Sequence, residues 1–491
     1  MAEISFGRAL GRVAEREPDR RSLIVEDRVV RAAELEAAAN RLARAYRELG
    51  VGVGDRVTIA LPNGVEHVLA CLACWKLGAV PNPISAQLPE RERRELVALA
   101  DPKLVVGVPE GSYPGRRCLP EGREGLGGDP SRSAEPLPDR VSPHAQALPS
   151  GGSTGRPKLI LDARPGVLDP EQPFYGIRAG SRVLVPGPLF HAGPFLNTRH
   201  ALLRGGTVVL MRRFDPLRAL ELLETHRIEW VNMVPTMLQR IWRLPREVRE
   251  RFDLGSLERL MVSGAACPVW LKRAFIDWLG PERVWEAYGG SERIGGTVIS
   301  GTEWLERPGS VGRPSDGGRV RILDAEGRDL PPGEVGEVYF RPPAGPGSTY
   351  RYIGAEGKAT PDGWETLGDL GWVDSDGYLY LADRRTDLIV TGGENVYPAE
   401  VEAAIDEHPA VLSSAVIGLP DDDLGQRVHA IVEVRGELDE QALRAHLRER
   451  LARIKIPRSF EFTDRPLRDD AGKVRRSALR EARLGRTGLP G

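Results

Sequence analysis

The sequence lacks a strong charge of either sign. Lysine and arginine total 68, aspartate and glutamate total 70, and the formal net charge is −2 over 491 residues, with no long basic run. A track for nucleic acid or a patch for anionic membranes therefore has little support. We expect a small, soluble partner or substrate, and neither a nucleic acid nor a membrane as the partner.

Long apolar runs are missing as well. No window approaches the roughly 20 apolar residues that span a bilayer. The amino-terminal stretch MAEISFGRALGRVAEREPDR also lacks the apolar core of a signal peptide. These two absences predict a cytoplasmic protein without a membrane span.

Cysteine is scarce, with four residues in the chain. Two of them, Cys71 and Cys74 in CLACWKLGAV, have the spacing of a redox or metal motif. No second pair of cysteines or histidines completes a zinc site, however, and an apolar helical stripe that includes Val68 and Leu72 runs through the motif. We therefore predict that both thiols are buried and structural.

The length of the chain predicts at least two domains. Strand-like runs such as DRVTIALPNG, RVLVP and EWVNMVP alternate with amphipathic stretches such as DPLRALELLETHR. This alternation is typical of an α/β fold, in which helices cover parallel sheets. After Gly309 short strands and tight turns predict a small β-rich subdomain, and a compact α+β block follows from about Asp387.

The stretch LPSGGSTGRPKLIL, residues 148–161, allows more than one interpretation. Residues 151–155 fit the G-x-S-x-G pattern of a serine hydrolase. That pattern needs a buried strand before the serine and a helix after it, whereas SPHAQALP is too polar for a central strand and KLILDA predicts a strand. The Walker pattern also fails, because Arg156 and Pro157 separate Gly155 from Lys158.

What remains is a loop of glycine, serine and threonine, between two predicted strands. Glycines let backbone N–H groups approach an anion, hydroxyl groups donate further hydrogen bonds, and Lys158 supplies positive charge. Such a loop can hold a triphosphate. An ordinary flexible loop is the alternative that local composition leaves open.

Further motifs favour the triphosphate. GPLFHAGPFLN places His191 between apolar segments, WEAYGGSERIGG places Tyr288 and Glu292 just after a predicted strand, and TLGDLGWVDSDGYLYLADRRTDLIVTGGENVYPAEVE and RDDAGKVRR follow. In this order the motifs resemble those of the adenylate-forming superfamily, which contains acyl-CoA synthetases, peptide adenylation domains and luciferases. The resemblance covers nearly the whole chain. It implies a large amino-terminal domain over residues 1–385, a smaller mobile α+β domain over residues 386–491, and an active site between them.

The resemblance implies that ATP activates a carboxylic acid to acyl-AMP and releases pyrophosphate. Its catalytic residues would be Lys473, which bridges the carboxylate and the α-phosphate, Glu292, which ligates Mg²⁺, and His191, which lies between the nucleotide and the acyl pocket. Tyr288 would pack on adenine, and Asp369 would bind the ribose hydroxyl groups. The residues implied to bind ATP are Ser150, Gly151, Gly152, Ser153, Thr154, Gly155, Lys158, Tyr288, Gly289, Ser291, Asp369 and Arg384.

The implied acyl pocket contains no acidic residue. Amino-acid adenylation domains place an aspartate at the start of the pocket helix, whereas FHAGPFLN has none. We therefore expect an uncharged, largely apolar acyl group, and the glycines around Tyr288 leave room for a bulky or cyclic one. The residues expected to line the pocket are His191, Phe195, Gly264, Ala265, Gly289, Gly290 and Gly295.

For the second half-reaction, the resemblance implies rotation of the carboxyl-terminal domain. Gly392, Gly393 and Glu394 would then approach a channel for the thiol of coenzyme A. Thr386 stands at the hinge where relatives often carry aspartate or lysine. Leu424 stands where a tryptophan often borders the channel, and Leu159 replaces a glycine that commonly follows the loop lysine.

The predicted function is that of an AMP-forming acid–CoA ligase with ATP, Mg²⁺ and coenzyme A as cofactors. The main alternative passes acyl-AMP to an amine or to a carrier-protein thiol. A serine hydrolase that acts through Ser153 and a non-catalytic ATP-binding module are the alternatives from other classes. The sequence leaves open whether the chain forms a homodimer.

Overall fold

The computed structural model describes residues 3–122, 129–150, 157–315, 317–342, 344–469 and 472–484. The chain up to residue 150 contains β1 (Ile4–Ser5), α1 (Phe6–Arg16), β2 (Arg21–Val25), β3 (Arg28–Arg31), α2 (Ala32–Glu48), β4 (Arg56–Ile59), α3 (Val65–Lys76), β5 (Val80–Pro83), α4 (Glu90–Ala100), β6 (Leu104–Val106), β7 (Arg117–Leu119) and β8 (Ala147–Ser150).

The middle of the chain alternates strands and helices. It contains β9 (Lys158–Asp162), β10 (Val167–Leu168), β11 (Arg182–Val185), α5 (Ala192–Leu203), β12 (Thr207–Leu210), α6 (Pro216–Thr225), β13 (Trp230–Met233), α7 (Pro235–Trp242), α8 (Arg246–Arg249), β14 (Arg259–Val262), α9 (Val269–Leu279), β15 (Val284–Gly289), β16 (Gly296–Ser300) and α10 (Gly301–Glu306).

Strands dominate the rest of the chain until about residue 396. The remaining elements are β17 (Ser310–Pro314), β18 (Arg319–Leu323), β19 (Gly336–Arg341), β20 (Tyr350–Ile353), β21 (Lys358–Ala359), β22 (Glu365–Val373), β23 (Leu379–Arg384), β24 (Ile389–Thr391), β25 (Glu394–Val396), α11 (Pro398–Asp406), β26 (Val411–Asp421), β27 (Gly425–Val434), α12 (Glu440–Arg448), β28 (Ser459–Thr463) and α13 (Arg476–Leu484).

The largest sheet confirms the predicted α/β class. Strands β15, β14, β13, β11, β12 and β2 lie side by side and run parallel. A second parallel sheet has the order β5-β4-β6-β7. Helices between the strands cover these sheets, and two of them, α3 and α5, are buried along most of their length. Cys71 and Cys74 lie in α3 as buried free thiols, as predicted.

The β-rich region is not a separate sheet. β17 pairs with β16 of the large sheet on one side and with β23 on the other, so β22, β19 and β18 extend the same ladder. Gly312 lies at the irregular register between β17 and β23 with a φ of 98°. A Cβ atom there would lie 2.2 Å from the Val298 carbonyl oxygen, so this close approach requires glycine.

The carboxyl-terminal segment has its own core. β26, β27 and β28 form a three-stranded sheet on which α11 packs, and their apolar side chains form one buried cluster. The segment contacts the rest of the chain through Arg243, the residue after α7, which donates to the carbonyl oxygens of Val411 and Leu412. Arg475 pairs with Glu92 of α4 at 3.0 Å. The boundary expected between residues 385 and 386 stays a prediction.

None of the helices that the structure describes combines the length and the apolar character that a bilayer crossing requires.

A buried ion pair anchors the last parallel strand. The Lys272 ammonium group on α9 lies 2.6 Å from the Glu286 carboxylate on β15, and the side chains are 0% and 7% exposed. The ammonium group also lies 5.0 Å from the centre of the Trp304 ring. Because β15 leads directly to Tyr288, this pair fixes the strand that enters the functional site.

Loss of one partner should cost more than loss of both. Lys272→Met leaves the Glu286 carboxylate buried without its cation, and we expect the free energy of unfolding to fall by about 3–5 kcal/mol. Lys272→Met combined with Glu286→Leu should recover most of that loss, because no buried charge remains. Chemical denaturation of both variants measures this difference, and equal stabilities would contradict it.

Candidate active site

One group of the predicted site residues follows the carboxyl ends of the parallel strands. Strands β13, β14 and β15 end there at Met233, Val262 and Gly289, and α5 begins beside them. The residues that follow these ends remain partly or fully exposed, in contrast to the buried strands. Crevices outside the carboxyl ends of parallel strands are the usual ligand sites of such sheets.

Glu292 and Lys158 lie on either side of one tyrosine. The Tyr352 hydroxyl group donates to Glu292 Oε1 at 2.6 Å. The ammonium nitrogen of Lys158 lies 3.8 Å from the centre of the Tyr352 ring. Burial and the neighbouring Arg384 lower the pKa of Lys158, whereas Glu292 raises it. The structure therefore brings the predicted metal ligand and the predicted phosphate lysine together.

Tyr352 is a residue of this cluster that the sequence predictions omit. It lies on β20, which pairs with β9 so that Tyr352 faces Ile160 across the ladder. The sequence TYRYIG does place two tyrosines on one face of a strand, and their rings lie 4.8 Å apart. That alternation indicates a strand, but it does not identify β9 as the partner.

A second cluster joins Tyr288, Asp369 and Arg384. The Tyr288 hydroxyl group donates to Asp369 Oδ2 at 2.6 Å, and Arg384 Nε lies 3.4 Å from Asp369 Oδ1. The pairing of β22 with β23 places Asp369 opposite Arg384. Burial and the Asp369 carboxylate raise the pKa of Tyr288, so the phenol stays protonated. Tyr288 lies within β15, whereas the sequence placed it just after a strand.

Lys473 enters the same crevice from the carboxyl-terminal segment. Desolvation and, after it, the charge of Arg384 lower the pKa of its ammonium group, whereas Asp469 and Glu292 raise this pKa. Part of the residue is exposed to solvent, but neighbouring groups desolvate its ammonium group. Lys473 therefore lies within electrostatic reach of Arg384 and Glu292, as the predicted catalytic role requires.

Gly472 lets the loop of Lys473 dock. Its φ is 75°, and a Cβ atom would lie 2.6 Å from Thr236 Oγ1 and 3.2 Å from Val234 Cγ2. Thr236 lies in the first turn of α7, directly after β13. The loop backbone thus contacts the carboxyl edge of the sheet at a point where only glycine fits.

His191 precedes α5 and faces this loop. Its pKa is lowered to about 3, mainly by burial and then by the charge of Lys473. Among the residues that the structure describes, none hydrogen-bonds to its buried Nε2 atom. A neutral imidazole with an unused nitrogen therefore lies near Lys473.

Two of the predicted acyl-pocket residues have a different environment. Phe195 is 3% exposed and packs against Trp75, with 5.9 Å between the ring centres. Its position on α5 turns it toward α3 and the core, and its place in the acyl pocket stays a prediction. A Cβ atom at Gly295 would lie 2.6 Å from the Phe340 ring, so packing against Phe340 explains that glycine.

The other predicted pocket residues remain at the sheet edge. Gly264 and Ala265 follow β14 and are exposed, and Gly289 ends β15. A Cβ atom at Gly290 would lie 2.6 Å from Glu292 Oε2, so this glycine makes room for the carboxylate. Ser291 is half-buried next to it.

The glycine-rich loop is described only at its ends. Ser150 ends β8 and pairs with Lys158, the first residue of β9, so the loop does connect two strands, as expected. Leu159 is fully buried in β9, which accounts for its apolar character. The predicted phosphate-binding residues Gly151, Gly152, Ser153, Thr154 and Gly155 lie outside the described residues.

The predicted hinge residue Thr386 is exposed between two anchored neighbours. The backbone N–H of Arg385 donates to the Gly368 carbonyl oxygen at 3.0 Å, and its side chain pairs with Glu337 at 2.9 Å. On the other side, Arg476 of α13 pairs with Asp387 at 2.9 Å. Movement about this point stays a prediction.

Gly392, Gly393 and Glu394 form the turn between β24 and β25. The Gly392 N–H donates to the Leu424 carbonyl oxygen at 3.0 Å, and both glycines have positive φ. Between described residues, no hydrogen bond joins this turn to the cluster around Glu292. The approach of these residues to a channel for the thiol stays a prediction.

A metal ion in this crevice would be coordinated by a bound ligand as well as by the protein. No group of three or more His, Cys, Asp or Glu residues in the described parts of the chain could hold a metal ion by itself. Glu292 offers a single carboxylate beside the phosphate lysine. One carboxylate with phosphate oxygens and water is the usual environment of Mg²⁺ at phosphate-transfer sites.

The chain is similar to proteins of known activity over nearly its whole length. Residues 10–351 match the family described as AMP-binding enzyme, and residues 400–473 match the AMP-binding enzyme C-terminal domain. The feruloyl-CoA synthase of an Amycolatopsis species is 35% identical over 470 residues, which cover 91% of this chain and 93% of that protein.

Two solved structures of o-succinylbenzoate coenzyme A synthetase from Bacillus subtilis share the fold. The complex with an acyl-adenylate intermediate has a TM-score of 0.82 and 28% sequence identity, and covers 98% of both chains. The complex with ATP and a magnesium ion has a TM-score of 0.79 and 28% identity, and covers 97% of this chain and all of that chain.

The low pKa of His191 can be tested directly. A group with a pKa of about 3 stays neutral at pH 5, where an ordinary histidine of pKa about 6.5 is mostly protonated. We expect the side-chain ¹⁵N shifts of labelled histidine to report a neutral His191 at pH 5, and Lys473→Ala to raise its pKa. Loss of the signal in His191→Gln assigns it, and a protonated His191 at pH 5 would contradict the expectation.

Proposed function

The chain belongs to the AMP-binding enzyme family, in the acid–CoA ligase branch of the adenylate-forming superfamily, and we propose that it activates a bulky, aromatic or cyclic carboxylic acid. It is an ATP-dependent ligase whose cofactors are Mg²⁺ and coenzyme A. The observation that carries the activation by ATP is the proximity of Lys158, Arg384 and Lys473 to Glu292.

The first half-reaction joins two anions. A carboxylate oxygen of the acid attacks the α-phosphorus of ATP, an acyl–phosphate bond forms, and the bond to the β-phosphate breaks with pyrophosphate as the leaving group. Positive side chains must therefore offset the charge that accumulates in the transition state. We assign the contact with the carboxylate and the α-phosphate to Lys473, and the contact with the departing phosphates to Lys158.

The other site residues fix the nucleotide. We assign the adenine to the Tyr288 ring and the ribose hydroxyl groups to Asp369. The Asp369 carboxylate accepts from Tyr288 and pairs with Arg384, and a carboxylate has further lone pairs for two hydroxyl donors. When bound at Glu292, Mg²⁺ would supply positive charge to the phosphate oxygens.

A bulky, uncharged acid fits the half of the crevice beside His191. Gly264 and Ala265 after β14 are exposed there, and burial keeps His191 neutral. The feruloyl-CoA synthase and the o-succinylbenzoate synthetase, both named for aromatic acids, support the same class of substrate.

In the second half-reaction, the thiol sulfur of coenzyme A attacks the acyl carbon, AMP leaves, and the thiol proton passes to the medium or to a base. We propose that the carboxyl-terminal segment pivots at residues 385–387 between the two steps. This rotation would separate Arg243 from the carbonyl oxygens of β26 and Arg475 from Glu92. Removal of Lys473 from the crevice would free space for the thiol.

We place the enzyme in the cytoplasm. All four cysteines are free in the structure, and two of them are fully buried. Unpaired cysteines are the rule in reducing compartments.

Lys473→Ala should remove most of the first half-reaction. With Mg-ATP and a panel of aryl, cyclic and fatty acids, we expect the rate of pyrophosphate release to fall by about 10²–10³-fold, because a group that stabilises transition-state charge is lost. Lys455→Ala, which removes a lysine that pairs with Glu400, is the matched control and should keep the wild-type rate. Undiminished pyrophosphate release in Lys473→Ala would refute the assigned role.

Product analysis tests the acceptor. Mass spectrometry with coenzyme A and an amine offered together should detect acyl-CoA as the main product. An amide without any acyl-CoA would overturn the ligase assignment while leaving the adenylation step intact.

Gly472→Val should prevent the lysine loop from docking. The new side chain would collide with Thr236 in the first turn of α7, so we expect pyrophosphate release to fall at least tenfold although Lys473 is present. Gly436 has a similar φ of 85°, and no atom lies within 4 Å of its Cβ position. Gly436→Val is therefore the control for backbone strain alone. Equal activity in the two variants would argue against docking at this contact.

A further inference from the structure

We propose that Tyr352 is a positioning residue for the phosphate end of the site: it orients the Glu292 carboxylate toward the metal and keeps Lys158 apart from it. The inference rests on the proposed function, in which Glu292 ligates Mg²⁺ and Lys158 binds phosphate. Tyr352 is the side chain that contacts both groups in the described structure.

The hydrogen bond fixes one carboxylate oxygen. Tyr352 donates to Glu292 Oε1 at 2.6 Å, and a phenol hydroxyl group serves as the donor to a carboxylate, which can only accept. The second oxygen, Oε2, lies against Gly290, where a Cβ atom would be 2.6 Å away. The tyrosine hydrogen bond therefore fixes the orientation of the carboxylate, and Gly290 leaves space for its second oxygen. The lone pairs that remain can face the crevice.

The ring holds the lysine without neutralising it. The Lys158 ammonium nitrogen lies 3.8 Å from the ring centre, a cation–π distance. Among the described residues, no carboxylate lies within salt-bridge distance of Lys158. An aromatic face attracts the cation but leaves its N–H donors unused. Tyr352 therefore acts as a spacer that prevents Lys158 and Glu292 from closing into an ion pair.

The sheet register makes this arrangement rigid. Tyr352 pairs with Ile160, and Lys158 lies two residues before Ile160 on β9, so both side chains point to the same face of the sheet. Diagonal neighbours on one face are within reach of aromatic and long side chains. The strand pair itself thus sets the distance between the tyrosine ring and the lysine.

Two variants separate the hydroxyl group from the ring. Tyr352→Phe keeps the aromatic face but removes the donor to Glu292. We expect the Mg²⁺ concentration for half-maximal pyrophosphate release to rise about tenfold or more, because loss of a residue that orients a metal ligand typically costs 10–100-fold in metal affinity. Tyr378→Phe removes a similar tyrosine–glutamate hydrogen bond, to Glu303, away from the site and is the matched control.

Tyr352→Leu removes the ring as well. The affinity for ATP should then fall at least tenfold relative to the affinity for AMP, since AMP lacks the phosphates that we assign to Lys158. A merely structural defect would weaken both nucleotides alike. Tyr352→Met serves the same comparison if the leucine variant does not fold, and thermal midpoints are measured for every variant.

The outcomes distinguish the inference from the proposed function. Glu292→Gln should raise the Mg²⁺ requirement more than Tyr352→Phe does. If Glu292→Gln changes it and Tyr352→Phe stays within twofold of the wild type, the role of Tyr352 is overturned alone. If neither variant changes it, Glu292 is not the metal ligand, and the proposal for Tyr352 fails with it.

Discussion

Repulsion among three cations is the interaction on which the arrangement of this site depends. Arg384 lowers the pKa of both Lys158 and Lys473, so the three positive groups lie close enough to oppose one another. Glu292 and Asp369 offset only part of that charge. The negative charge of a polyphosphate can offset the rest. The repulsion among these side chains in the free protein therefore favours the binding of ATP.

The cations come from three distant parts of the chain, and a different structural contact holds each of them in the crevice. Lys158 begins a strand that is held by β20, and Arg384 is fixed opposite Asp369 by the pairing of β22 with β23. Lys473 depends on a backbone contact at Gly472. Lys158 lies on the sheet of β8, β9 and β20, Arg384 lies on the antiparallel extension of the large sheet, and the loop of Lys473 contacts the residues that follow β13. The buried Lys272–Glu286 pair holds the last parallel strand in place.

Much of the site was predictable because its motifs are local. Glu292, Asp369 and Lys473 each stand in a short stretch whose residues and order carried the resemblance, and the structure brings them together. Tyr352 was not predictable in the same way, because its role follows from the pairing of β20 with β9, which no local pattern specifies. Phe195 also lies in a motif, but the motif does not specify that the helical period turns this side chain toward Trp75. The sequence predicted the β-rich region as a subdomain. It did not reveal that the region continues the large sheet, because the pairing of β17 with β23 joins residues that are far apart in the sequence.

Arg243 contacts the carboxyl-terminal segment through the carbonyl oxygens of Val411 and Leu412. Carbonyl groups are the same whatever side chains the strand carries, so this contact places no demand on the amino acids of β26. The outer face of the segment can therefore diverge during evolution, and acquire new acceptors or binding partners, without loss of the docked arrangement. A shift in the strand register would break it, so this contact is more sensitive to insertions in the turn before β26 than to substitutions on the surface of the segment.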